Sequence, residues 1–274
     1  MRSSLRALPL AAAMPTFPVM IRTLALLGLL LGCTTAPITG RRQLDLVGDG
    51  TMNQLGLQSY QQEISKAKLD TNPEHLAMVK RVTDRIAAAA EAEFHPNYQW
   101  QATVIDDPKT VNAWCMPGGK IAVYSGIFPI AQDENGLAVV MAHEISHALA
   151  RHSAERLSRT ELMQLGESGL LAAVNAGEPK ATTAVQAALG LGAQLGVALP
   201  FSRQQESEAD HIGLVLMAKA GYDPATAVGF WQRMLEYSKG KEPPAFLSDH
   251  PSSQQRIDDI KKELPEAEKA YRAR

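Results

Sequence analysis

The sequence predicts an α+β domain that is mainly helical, with a small β-sheet beside a helix that carries paired histidines. Three observations predict it. Alanine is plentiful and aromatic residues make up only 5 % of the 274 residues, a balance that favours helix because alanine gives up no side-chain entropy there. Tyr98, Trp100, Ala102 and Val104, and again Ile121 and Val123, fall on alternate positions, the period of a strand with one buried face. The stretch from Leu137 to Ala150 contains neither glycine nor proline and holds His143-Glu144-Ile145-Ser146-His147, so the motif lies on a helix. A chain of this length buries one core of ordinary size with extras. The formal charge of -2, without a long basic block, excludes nucleic acid as an expected partner.

The N-terminal residues read as export machinery. Arg2, Arg6 and Arg22 precede an apolar run from Leu24 to Cys33 that is too short to span a bilayer comfortably, and Met14 or Met20 could be the start of so long a leader. The end of the run, Leu30-Leu31-Gly32-Cys33, resembles the bacterial lipobox, which implies cleavage before Cys33 and lipidation of its thiol. A signal anchor with an incidental cysteine is the alternative. Thr34 in place of an aspartate implies sorting to the outer membrane. The expected organisation is therefore a lipoprotein signal peptide over residues 1–32, a lipidated tether over 33–44 and the folded domain over 45–274, lipid-anchored in the periplasm at the inner leaflet of the outer membrane. With Cys33 lipidated, Cys115 is left without a disulfide partner. It reads as a small buried hydrophobe, since nothing in sequence pairs it with a base.

Beyond the tether, helices are expected around Met52 to Lys68 and from Pro73 to Phe94, the second with Leu76, Val79, Val82 and Ile86 near helical spacing and Pro73 suited to a first turn. Between the alternating segments lie Asn112 to Gly119, with Pro117, Gly118 and Gly119 after Met116. They predict a turn or bulge near a strand edge, which either receives extended peptides as an added strand or is a plain hairpin. Ala181 to Ser202 has no charge, but its glutamines, threonines and glycines are too weakly hydrophobic for a membrane span and suit a buried or cleft-flanking helix.

Residues four apart share a helix face, so His143 and His147 can present two imidazoles to one metal ion. Glu144 then sits beside the ion, where it can take a proton from a water activated there and pass it to the leaving amine. A second helix, Ser202 to Asp210, places Glu206 and Asp210 on one face. Glu206 supplies a third ligand with the fourth position left open, and Asp210 accepts the free N–H of a ligating imidazole, His143 in the first instance. Glu208 points elsewhere and reads as an ordinary salt-bridge former, with replacement of Glu206 as its alternative. His152 and His211 lack the four-residue spacing and read as structural or exposed, and His75 and His95 carry no signal. Downstream, Gly221 stops the ligand helix, and Asp223 and Pro224 start the next. His250, ahead of Pro251, is the first candidate for a donor to the developing oxyanion, with Arg256 and Tyr222 after it. A helix-entry turn is the structural alternative for the His250-Pro251 pair.

These two motifs, with Thr39-Gly40-Arg41-Arg42 upstream and Asn112 to Gly119 ahead of the first helix, resemble the HtpX and CAAX-prenyl-protease superfamily, and within it the soluble lipoprotein or periplasmic branch similar to LoiP and BepA. The resemblance covers roughly Thr39 to Ile257. It implies a mostly helical gluzincin-type metallopeptidase fold, one zinc ion per chain, polypeptide substrates and endoproteolysis of misfolded or surplus envelope proteins. It also implies a histidine-proline pair near the zinc, which makes His250 either a donor or a reversible zinc ligand. A membrane-tethered chaperone or assembly factor with a zinc-stabilised fold is the rival reading, and the general-base position of Glu144 argues against it, because a structural site needs no acid/base carboxylate.

Overall fold

The structure, a computed structural model, describes residues 33–160, 163, 201–239 and 244–273. The expected signal peptide and all but the last two residues of the uncharged stretch lie outside these. The described residues from Thr34 onward belong to one compact unit. No helix among the described residues is long and apolar enough to cross a membrane.

Two short strands, β1 (Cys33–Thr35) and β2 (Arg42–Leu44), open the described chain as a two-stranded ribbon. The segment expected to be a tether is instead packed into the fold: Ala36 and Gln43 are buried, and Gln43 Nε2 donates to Ala150 O at 2.7 Å. Its polar composition hid this because, apart from the small apolar contact of Ala36 with Ala150 and Ile212, the segment docks through polar pairs.

Helix α1 (Asp49–Ile64) and helix α2 (Pro73–Phe94) follow. Asn72 caps α2, its side chain accepting from Glu74 N at 2.9 Å with Pro73 in the first turn. The buried face of α2 carries Val79, Val82, Ile86 and Ala90. The expected alternation from Tyr98 becomes strand only at β3 (Gln101–Ile105). The residues just before it are taken by Glu91, which accepts from Tyr98 N at 3.1 Å and from Trp100 Nε1 at 2.7 Å.

β4 (Ala113–Met116) and β5 (Lys120–Tyr124) complete a three-stranded sheet of order β3-β5-β4. β3 runs parallel to β5 with Gln101 opposite Lys120, and β4 runs antiparallel with Met116 opposite Lys120. The turn expected after Met116 is the β4–β5 hairpin, and it leaves β4 on the sheet edge. Gly119 is required in this turn: its φ is +79°, and a Cβ there would come within 2.8 Å of the Trp100 ring.

A short helix α3 (Phe128–Ala131) leads into α4 (Glu134–Leu149), where Asp133 caps Gly136 N at 2.9 Å. Every residue of α4 from Gly136 to Leu149 is buried, so the motif-bearing helix forms the middle of the core, between the sheet and α2 on one side and later helices on the other. The chain turns at Arg151 with φ +58° and continues as α5, helical over 152–160. Helix α6 (Arg203–Lys219) opens on a capping box between Ser202 and Gln205. It can lie close against α4 because residue 213 is glycine, where a Cβ would stand 3.2 Å from His143 N. Helices α7 (Thr226–Ser238), α8 (Ala245–Asp249) and α9 (Gln254–Arg272) close over this pair with Phe230, Trp231 and Phe246 fully buried. The architecture is mainly helical with small sheets, as the composition and periodicity predict.

Candidate metal centre

The helical spacing of α4 brings His143 and His147 together with their Nε2 atoms 3.1 Å apart. The first turn of α6 adds Glu206, whose carboxylate oxygens lie 3.5 Å from His143 Nε2 and 3.4 Å from His147 Nε2. His250, at the end of α8, brings Nδ1 to 3.3 Å from His143 Nε2 and 2.9 Å from Glu206 Oε1. These four buried residues each offer one ligand atom, all within 4.8 Å of one another. Ligand atoms about 2.0–2.1 Å from a tetrahedral ion stand about 3.3 Å apart, so the observed separations are those of a first coordination sphere. Glu206 Oε2 is also buried without a hydrogen-bond partner among the described residues, although Arg256 Nη1 offsets its charge from 2.8 Å. The residues present therefore fit a divalent metal ion.

Electrostatics sort the site into fixed and titratable parts. Burial raises the Glu206 carboxyl, but the hydrogen bonds from His143, His147 and His250 outweigh it and hold the group well below the usual carboxylate range. Burial likewise pushes His147 well down and so keeps its ring neutral and available as a ligand. Glu144 stands apart. Burial pushes its carboxyl up to about 7, with His250 opposing and Glu206 adding to the rise. Its Oε1 is buried without a hydrogen-bond partner among the described residues, 3.3 Å from His250 Nε2.

Asp210 lies on the same face of α6 as Glu206, with Oδ1 3.0 Å from His143 Nδ1. Arg256 of α9 clamps both carboxylates, with Nε 2.7 Å from Asp210 Oδ2 and its guanidinium stacked 3.6 Å from the Trp231 ring. Arg256, expected as a candidate donor to the oxyanion, directs its donors to Asp210, Glu206 and the Pro251 carbonyl, with Nη2 also 3.4 Å from His143 Nε2. Tyr222, the other candidate, is not brought to the cluster. Its ring lies under the Arg85 guanidinium and its hydroxyl meets Glu134, the first residue of α4, nine residues and roughly 13 Å along the helix from His143. Cys115 sits on β4 with its thiol pushed up by burial and by Glu144, which rules against a nucleophile.

Two residues read as ordinary are part of the centre's support. His152 is fully buried with Nδ1 2.8 Å from His147 Nδ1, and its Nε2 lies 3.0 Å from Glu208 Oε2. His211, by contrast, pairs at the surface with Glu266.

Two imidazoles one helical turn apart, a carboxylate from a facing helix and a second, high-pKa carboxyl beside them are the centre of a metallopeptidase. Comparison with known proteins makes this specific: the model of peptidase family M48 matches residues 73–264, and the chain belongs to that family of metal-dependent hydrolases of peptide bonds. It is 38 % identical over 244 residues to the mitochondrial metalloendopeptidase OMA1 of Schizosaccharomyces pombe, covering 85 % of this chain and 66 % of that protein. It is 30 % identical over 244 residues to the human mitochondrial metalloendopeptidase OMA1, covering 85 % and 46 %. It is 37 % identical over 158 residues to a putative beta-barrel assembly-enhancing protease of Vibrio cholerae, covering 55 % and 32 %. The chain spans less than two thirds of the length of each of these relatives.

These relatives also correct the localisation expected from the leader. The matches that cover 85 % of the chain are to mitochondrial enzymes, whereas the bacterial one covers 55 %, so placement in a bacterial periplasm at the outer membrane does not stand. The physical reason lies in charge pattern: residues 1–32 contain arginines and no Asp or Glu, a composition that mitochondrial transit peptides share with export signals.

Proposed function

We propose that the protein is a zinc-dependent endopeptidase that cleaves extended segments of misfolded or surplus proteins. The observation that carries this reading is the cluster of four buried ligand atoms on His143, His147, Glu206 and His250 with the Glu144 carboxyl, pushed up to about 7, directly beside it. His143, His147 and Glu206 would hold the ion, a two-histidine, one-carboxylate set suited to zinc. When bound, zinc lowers the pKa of an attacking water and polarises the scissile carbonyl. Glu144 takes the water's proton, because a group with a pKa near the working pH both accepts and returns it, and then delivers it to the leaving amine. Asp210 fixes the tautomer of His143 by accepting at its Nδ1. Strand β4, at the sheet edge among the described residues, flanks α4 and would receive an extended substrate as an added strand.

His250 has a second role open to it besides donor to the oxyanion. Its Nδ1 stands among the ligand atoms, which favours occupation of the fourth position, where it competes with water and holds the enzyme at rest until α8 moves. The test of the main reading is zinc content and casein cleavage by the full chain, for wild type and Glu144→Gln. Both proteins bind one equivalent of zinc and only wild type cuts if the reading holds; absence of zinc sinks it. His250→Ala then separates the two roles: faster cleavage follows from a displaced ligand, slower cleavage from a lost donor.

A further inference from the structure

With their Nε2 atoms committed to the ligand cluster, His143 and His147 turn their Nδ1 atoms away from it, and the two meet different partners. His143 Nδ1 reaches a carboxylate directly. His147 Nδ1 reaches His152 Nδ1 at 2.8 Å, and two ring nitrogens this close share one proton. His147, ligating through Nε2, carries its proton on Nδ1 and donates it. His152 therefore accepts on Nδ1 and donates from Nε2 to Glu208 Oε2 at 3.0 Å. The order of donors ends on a carboxylate that is only 4 % exposed, and an isolated buried carboxylate is strongly unfavourable.

What neutralises Glu208 comes from the far end of the sequence. Arg41 Nε donates to Glu208 Oε2 at 2.7 Å and the Thr39 hydroxyl donates to Oε1. The other edge of the Arg41 guanidinium grips Glu155 through two bonds of 3.1 and 2.9 Å, and Gln205, in the first turn of α6, holds the same carboxylate at 2.9 Å. Arg41 thus ties together the segment between β1 and β2, α5 and α6 at the point where they back the metal centre, although it lies outside the stretch 73–264 that defines the family.

We propose that Arg41 is a positioning residue for the metal centre, acting through Glu208 and His152 to fix the ring orientation and tautomer of His147. The inference rests on the reading of the cluster as a zinc site. A lysine is a poor substitute, since one ammonium cannot span Glu155 and Glu208 as the planar fork does.

The test is zinc affinity of the full chain, measured by competition with a chromophoric chelator, together with the visible absorption band of the cobalt-substituted protein. Arg41→Gln is expected to weaken zinc binding about 10- to 100-fold and to shift the cobalt band, and Arg41→Lys to give a smaller loss in the same direction. Because Arg41 acts through Glu208, the Arg41→Gln, Glu208→Gln double variant should bind no more weakly than Glu208→Gln alone. Arg85→Gln, which removes bonds of 3.0 and 2.7 Å to the Ala220 and Gly221 carbonyls just past the end of α6 and does not touch Glu208 or His152, should lower the melting temperature and leave affinity and band unchanged. Wild-type affinity in folded Arg41→Gln, or losses that add in the double variant, overturns the proposal. If Arg41→Gln does not fold, wild-type affinity and band in Arg41→Lys overturn it equally. A wild-type chain that binds no zinc removes the underlying site reading, a result distinct from any of these.

Discussion

The two imidazoles of α4 are one turn apart and chemically equivalent, yet the fold holds them by opposite means. His143 rests directly on a charged group, Asp210, which is paired with a buried guanidinium from α9. His147 rests on a neutral ring, His152, and meets charge only one residue further out, at Glu208 and Arg41. The first support needs only two helices and a nearby arginine. The second recruits the chain ahead of the family-defining stretch. A direct carboxylate raises the basicity of its ligand more than a relayed one, so the pair is electrostatically unequal even though both rings present Nε2 to the same point.

The largest effect expected is that of removing what both supports exist to hold. Dialysis against a chelator should abolish casein cleavage, and added zinc should restore it. The melting temperature should fall in the stripped protein, because an ion that binds only the folded state stabilises it by about 2.7 kcal/mol at a free concentration one hundred times its Kd. Next comes the direct support. Asp210→Ala leaves the Arg256 guanidinium, 8 % exposed, with half its countercharge, and breaking a buried pair by removing one partner costs about 3–5 kcal/mol. Urea unfolding should show a loss of that order, alongside a drop in zinc affinity. A loss under about 1 kcal/mol would mean that Arg256 finds compensation in Glu206 alone and that the two supports differ less than their geometry indicates.

The unequal supports also explain which parts of the site were legible in the sequence. His143, His147, Glu206 and Asp210 announce themselves because they repeat at four residues on unbroken helices, a period that needs no tertiary knowledge. Glu208 falls two residues from either acidic neighbour, the spacing that suggests an exposed face, yet α5 and the β1–β2 segment cover that face and bury it. His152 follows His147 by five residues, off the helical face. It reaches back only because Arg151 adopts φ +58°, with its guanidinium held by Asp45 and the Val47 carbonyl. A positive φ at a non-glycine residue leaves no trace in sequence. The core of the fold was readable for the complementary reason: apolar periodicity marks the buried face of α2 and the Ile121 and Val123 positions of β5. The segment 33–44 reads as a tether because buried ion pairs look like solvated ones until their partners are known.

The relayed support should be the cheaper one to lose. In His152→Ala the Arg41–Glu208 pair survives intact, so what is left unsatisfied is the Nδ1–H of His147 and a small cavity, a cost of about 1–3 kcal/mol. The zinc affinity should fall less than in Asp210→Ala, and chelator competition with both variants side by side decides the ranking; equal losses would erase the distinction between direct and relayed support. The smallest effect marks where support ends. His211 follows Asp210 on α6 and pairs with Glu266 at 2.9 Å, but Glu266 is 58 % exposed, and exposed pairs are worth about 0–1 kcal/mol. Glu266→Gln should therefore leave zinc affinity unchanged and shift unfolding by about 0.5 kcal/mol or less. A measurable loss of zinc in that variant would extend the supporting network across α6 to the surface, and the site would then be held by the whole helix instead of by its buried first two turns.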